Sequence, residues 1–197
     1  MRDATGVISA ELAEKSGLGE SSTPDDTEKP LVGKYVPGYA VPVINERAVR
    51  ASAGILFLFG AIAWGGALAT GSMGWLKPFG FFFVIDMAIR VGIGDKWSPT
   101  LALGRLAVLG QKPEWVGASQ KLFAWWLGFL MAATFCASTG FFNAPLWVPL
   151  MLCGFCLTLL FLETAFGICV GCKLQSVFGK KQPMYCPGGT CDPVGPR

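Results

Sequence analysis

No histidine occurs in the 197 residues of this chain. Its absence removes imidazole at one stroke as a general base, a proton shuttle and a metal ligand. Charge is scarce as well: only 15% of residues are Asp, Glu, Lys or Arg, and the formal net charge is +3. So slight a positive balance offers no footprint for nucleic acid, whose binding rests on clustered Lys and Arg. No apolar run follows a basic start, so the sequence predicts no signal peptide. What is plentiful is apolar: 52% of residues, with a mean hydropathy of +0.50. That is too much for an ordinary soluble domain and points to a membrane protein.

Residues 1–35 are the exception, with Asp3, Glu11, Glu14, Glu20, Asp25, Asp26 and Glu28 set among Ser, Thr, Gly and Pro. Such a segment buries too little apolar surface to offset its ordering entropy, and a disordered tail is expected. From Tyr35 to Arg50 the chain approaches a membrane boundary. Pro42 disfavours helix just before it, and Asn45 is a candidate N-cap for the helix that follows. Four crossings are then predicted, at about 51–70, 75–93, 122–141 and 146–168, each close to the ~20 residues needed for ~30 Å of hydrocarbon. Ala61 and Gly65 suggest a small-residue face for close packing on the first. Trp125 and Trp126 read as an interfacial pair at the start of the third. Between the second and third, Ser98-Pro99 is a helix-start signal for a short helix near 101–109 lying in the interface.

Basic residues flank alternate connections. Lys29, Lys34, Arg47 and Arg50 precede the first crossing; Arg90, Lys96, Arg105, Lys112 and Lys121 lie between the second and third; Lys173, Lys180 and Lys181 follow the fourth. The positive-inside rule puts both termini in the cytoplasm. The expected architecture is all-α: an integral membrane four-helix bundle over 36–172, with a cysteine-rich cytosolic tail over 173–197.

Seven cysteines stand at 136, 153, 156, 169, 172, 186 and 191. Cys136, Cys153 and Cys156 fall inside crossings, where a thiol behaves as a small hydrophobe. Cys169-Val170-Gly171-Cys172 and Cys186-Pro187-Gly188-Gly189-Thr190-Cys191 form two closely spaced pairs just past the fourth crossing. On a reducing face, structural disulfides are not expected, which leaves redox exchange, sulfur transfer, metal binding or no role. The spacing also fits a four-cysteine zinc site. Against a thioredoxin-like nucleophile stands the expected position of Cys169 and Cys172 near a helix C-terminus, whose partial negative charge disfavours thiolate. Gly167 and Gly171, however, could end the helix early. Asp86, Arg90 and Glu163 are the intramembrane charges. Asp86 and Arg90, four apart, can pair on one helix face, and Glu163 and Arg90 could pair between the second and fourth helices near Cys169. A transporter would need polar residues through the whole bilayer depth, and the outer halves have almost none.

Three stretches carry a family resemblance: Pro42 to Arg50, Asp86-Met87-Ala88-Ile89-Arg90 followed by Ser98-Pro99, and Leu162-Glu163 leading to Gly167-Ile168-Cys169-Val170-Gly171-Cys172. Together they resemble a family of small bacterial inner-membrane proteins known as domain of unknown function 4395, over about 36–191. The resemblance implies four helices, a second cysteine pair and no established reaction. Some members being encoded beside thioredoxin-like and sulfurtransferase proteins implies thiol or sulfur metabolism. It marks Asn45, Asp86, Arg90, Glu163, Cys169, Cys172, Cys186 and Cys191 as positions of interest. The expected function is a cytosol-facing relay exchanging sulfur or electrons among the four thiols and a thioredoxin-like or sulfurtransferase partner, so that Cys172→Ser abolishes partner capture. The alternative is a non-catalytic scaffold or accessory subunit with zinc on the same four cysteines. No other cofactor and no nucleic acid are expected.

Overall fold

Four long helices pack antiparallel, and the buried charged residues among those described gather at one end of the bundle. The computed structural model describes residues 30–178 and Tyr185. Expectations for 1–29, and for Cys186 and Cys191, fall outside the described residues.

Helix α1, Glu46–Thr70, starts where expected: the Asn45 side-chain oxygen accepts from the Arg47 N–H, and Gly71 closes the helix in the left-handed conformation (φ 65°). Glycine adopts that conformation without a Cβ clash. Helix α2, Leu76–Gly92, returns alongside α1. A Cβ on Gly66 would lie 2.6 Å from the Trp75 ring, and one on Gly60 would lie 2.7 Å from the Phe79 ring. These two glycines, not the expected Ala61 and Gly65, admit the close neighbours, since Gly65 has open space around it. Helix α3, Pro99–Ala107, is the expected short helix; the Ser98 hydroxyl caps it by accepting from the Leu101 N–H. It does more than lie in the interface. Gly104 meets the α1 backbone at Ala48 and Ser52, and Leu101 is fully buried.

Helix α4, Ala118–Gly140, packs on α2, and α5, Trp147–Phe166, packs on α1. The pairing Gly54 with Thr164, Gly60 with Leu157 and Trp64 with Leu150 fixes α5 antiparallel to α1. A last helix, α6, covers Val170–Phe178.

Two three-residue strands, β1 (Val43–Asn45) and β2 (Trp115–Gly117), pair antiparallel with Ile44 opposite Val116. This ribbon was not foreseen. It joins the chain just before α1 to the chain just before α4, so both helices start from one fixed platform. Packing also begins earlier than the predicted tail boundary at 35. Val32 is buried, Lys34 bridges to Val43, and the Gly33 N–H donates to Asp95 Oδ1.

Three helices, α1, α4 and α5, are long and apolar enough to span a membrane. Their outward side chains include Leu58, Phe59, Ile62, Leu130, Met151 and Phe155, all exposed. An outward apolar surface on membrane-length helices is the pattern of a membrane protein. With 17 residues, α2 spans roughly 25 Å at 1.5 Å per residue, short of the ~30 Å hydrocarbon core. Trp125, expected at the interface, is instead core: it is 5% exposed and lies under the Arg90 guanidinium, 5.1 Å from the ring centroid.

Candidate functional site

The site is built by a sharp turn between α5 and α6. Gly167 ends α5 in the left-handed conformation (φ 67°), its N–H donating to the Glu163 carbonyl. The Arg50 guanidinium donates from Nη2 to the Thr164 carbonyl at 3.0 Å. A cation there suits the partial negative charge of a helix end. Only Ile168 and Cys169 separate this end from the first residue of α6.

Cys169 therefore occupies the N-cap of a new helix, not the C-terminal end of the membrane helix that the sequence suggested. Its carbonyl accepts from the Lys173 N–H at 3.1 Å, the first bond of the α6 ladder. Its Sγ accepts from the Cys172 N–H at 3.3 Å. A Ser or Asp oxygen commonly fills that role at an N-cap; here a sulfur does. Cys169 and Cys172 are joined by a disulfide, and each is only 7% exposed. The partial positive charge of a helix N-terminus stabilises thiolate, and CxxC pairs at such ends are the reactive ones. Gly171 is required for steric reasons: a Cβ there would lie 2.7 Å from the Ala124 Cβ and 2.8 Å from its Cα. The first turn of α6 thus rests directly on α4.

One turn before Ala124, Lys121 is held between two carboxylates. Its Nζ donates to Glu163 Oε1 at 3.0 Å and to Glu46 Oε1 at 3.0 Å, with Glu46 Oε2 at 2.7 Å. Lys121 and Glu46 are each 1% exposed, Glu163 17%. The triad ties together the start of α1, the start of α4 and the end of α5. The predicted Glu163–Arg90 pair is not formed; Glu163 is taken by Lys121 because that lysine enters the bundle rather than reaching for solvent.

Arg90 instead forms the expected i,i+4 pair with Asp86, Nε to Oδ2 at 2.9 Å. Ser52, Ser98 and Thr100 complete the shell: Arg90 donates to all three hydroxyls, and those of Ser98 and Thr100 donate on to Asp86. Ion pairs this deep persist only when their remaining hydrogen-bonding groups are satisfied. The network clamps α1, α2 and α3 together. Asn45 has an architectural role as well, since its side-chain oxygen accepts from both Arg47 and Glu114 backbone N–H groups.

A cavity of about 80 Å³ connects these parts. Its floor is apolar, from Leu56, Phe83 and Met87, while Arg90, Glu163 and Cys169 bring polarity and sulfur to one end. Sequence reasoning missed Lys121 and Glu46 as members of the site. The available signal was their position: both are charged residues within the first turn of a membrane-length helix, where an inward-facing charge demands a partner.

Cys153 and Cys156 line apolar surfaces and Cys136 is partly buried among hydrophobic side chains, as expected of small core residues. Tyr185, directly before Cys186, is held at this same end. Its carbonyl accepts from the Gly117 N–H at 3.2 Å and its ring packs on Tyr39. Among the described residues, no group of three or more Cys, Asp or Glu lies together as a metal shell.

Residues 44–180 match the family described as Domain of unknown function (DUF4395). No curated protein and no solved structure matches the chain.

Proposed function

This chain belongs to the DUF4395 family, and we propose that it is a thiol–disulfide relay of the bacterial inner membrane, serving redox or sulfur metabolism. The observation that carries the reading is the Cys169–Cys172 disulfide at the start of α6, with the Cys172 N–H directed at Cys169 Sγ. The fourth crossing is α2, which runs between the same two ends of the bundle as its neighbours and absorbs its length deficit by local thinning of the bilayer. Both termini are then cytoplasmic, the side favoured by the flanking Lys and Arg. On that reducing face a bonded pair is a working disulfide rather than a structural one.

In the reducing direction, a partner thiolate attacks Cys169 Sγ. The bond between the two sulfurs breaks, Cys172 leaves and takes up a proton, and the mixed disulfide sits on Cys169, the sulfur that the helix start stabilises as a thiolate on release. A second partner thiolate releases the mixed disulfide, so two electrons enter the pair and the partner leaves oxidised. Cys186 and Cys191 are the second thiol pair of the relay and exchange with the first, because the 7% exposure of Cys169 and Cys172 limits direct docking by a thioredoxin-like or sulfurtransferase protein.

The N-cap position alters the trapping experiment expected from sequence. In the reverse direction Cys169 is the attacking thiolate and Cys172 resolves the mixed disulfide. Cys172→Ser should therefore prolong capture of a partner on Cys169, and Cys169→Ser should abolish it. Equal capture by both variants, or by neither, refutes the assignment. The rival reading, one structural zinc on all four cysteines, requires Cys169 and Cys172 as thiolates. Stoichiometric zinc with those thiols protected, in anaerobically purified protein, would select it.

A further inference from the structure

We propose that the cavity beside Cys169 is the binding site of a quinone, which collects the electrons of the Cys169/Cys172 dithiol; this rests on the thiol-relay reading above. The starting point is access. Both cysteines are 7% exposed, yet Cys169 forms part of the cavity wall. Partly exposed lining residues lie on α4 (Leu127, Gly128, Met131) and α5 (Cys156, Leu159), as well as around the start of α6 (Ile168, Val170). One side of the cavity therefore opens between two helices long and apolar enough to span a membrane. A reagent that reaches the disulfide by this route comes from the lipid phase.

Its chemistry follows from the walls. The cavity is apolar along most of its length, with Arg90 and Glu163 at the end that holds the sulfur. The four hydrogen bonds of Arg90 use Nε and Nη2, so Nη1 is the guanidinium nitrogen that can donate to a ligand carbonyl. A planar ring with a carbonyl at one edge and an apolar substituent at the other matches this gradient. The volume of about 80 Å³ is roughly half the ~150 Å³ that encloses a whole benzene. The ring accordingly enters by its carbonyl edge, leaving its isoprenoid chain between α4 and α5 and in the bilayer.

The exchange balances without a further reagent. The two S–H bonds break and the S–S bond forms. Two electrons and two protons pass to the quinone oxygens, giving the quinol. Electrons delivered to the pair by cytosolic thiols would thus leave into the membrane.

The test uses the full chain in detergent, reduced and freed of reductant under anaerobic conditions, with a decyl-substituted benzoquinone as the probe. Quinol formation is read by absorbance, and the state of Cys169 and Cys172 by alkylation and mass spectrometry. One quinone consumed per disulfide formed is expected. Gly128→Leu, which adds bulk inside the cavity, and Leu159→Trp, at its rim, should each slow the reaction at least tenfold. Oxidation by diamide, a small water-soluble reagent, reports whether the pair can form its bond in each protein. No quinone consumption while diamide closes the pair would overturn the cavity assignment and leave the thiol relay standing. Wild-type quinone rates in both filled variants would also overturn it. A pair that neither reagent oxidises would sink both readings.

Discussion

Lys121→Met replaces the central ammonium of the triad by an apolar side chain of similar length. Glu46, 1% exposed, then lies beside Glu163, 17% exposed, with no cation between them. Removing one partner of a buried ion pair costs about 3–5 kcal/mol, because the charge left behind has neither water nor a counter-ion. Partial exposure of Glu163 reduces the loss, so the lower end, ~3 kcal/mol, is the expected value. For a chain of this size that corresponds to a fall in Tm of roughly 6–12 °C, at about 2–4 °C per kcal/mol. Thermal unfolding in a fixed detergent, followed by size exclusion, measures it. The variant Lys121→Met/Glu46→Met removes the stranded carboxylate as well. It should recover at least half of the loss, since apolar replacement of a whole buried pair is often neutral. A fall below ~2 °C for the single variant, or no recovery in the double, would refute the argument that the triad fixes the starts of α1 and α4 to the end of α5.

Gly171→Ala forces a Cβ to 2.7 Å from Ala124, about 1 Å inside an optimal carbon contact. The obstructing atoms include backbone, so α6 must shift, at a cost of about 1–3 kcal/mol in thermal stability and with a measurable change in the redox midpoint of Cys169/Cys172; an unchanged midpoint would contradict the close seating of α6 on α4. Asp86→Ala strands Arg90 in a site where it is 2% exposed, and a loss of about 3–5 kcal/mol is expected, read as failure to recover monodisperse protein. Wild-type yield and Tm would show the clamp to be dispensable. Asn45→Ala removes an N-cap acceptor and should cost ~1 kcal/mol, visible as a small drop in Tm with the thiol chemistry unchanged.

Helices α1 to α5 and the caps at Asn45 and Ser98 were legible in the sequence because their causes are local. Asn45, Ser98-Pro99 and the apolar run lengths act within one turn of the backbone. The Asp86–Arg90 pair was legible for the same reason, being set by helix periodicity. What escaped was set by long-range packing. Gly65 looks like a contact residue until the orientation of α1 puts Gly60 and Gly66 inward. Trp125 has the composition of an interfacial residue, but Arg90 and the helix crossing draw it into the core. At the candidate site, spacing identified Cys169 and Cys172 but inverted their electrostatic setting. Gly167 as a possible break was visible, whereas the restart of helix at Val170 depends on α6 packing against α4 through Gly171.

The reactivity of Cys169 is the claim on which the relay stands, and it follows from one geometric fact: a sulfur at the N-cap of α6. The most direct test is the reduction potential of the Cys169/Cys172 pair, measured in detergent by equilibration with thiol buffers and differential alkylation. A reversible two-electron couple lying above about −300 mV is predicted, the range of exchange-active rather than structural disulfides. A potential below that limit, or a pair that cannot be reduced and reoxidised in the folded protein, would contradict the account.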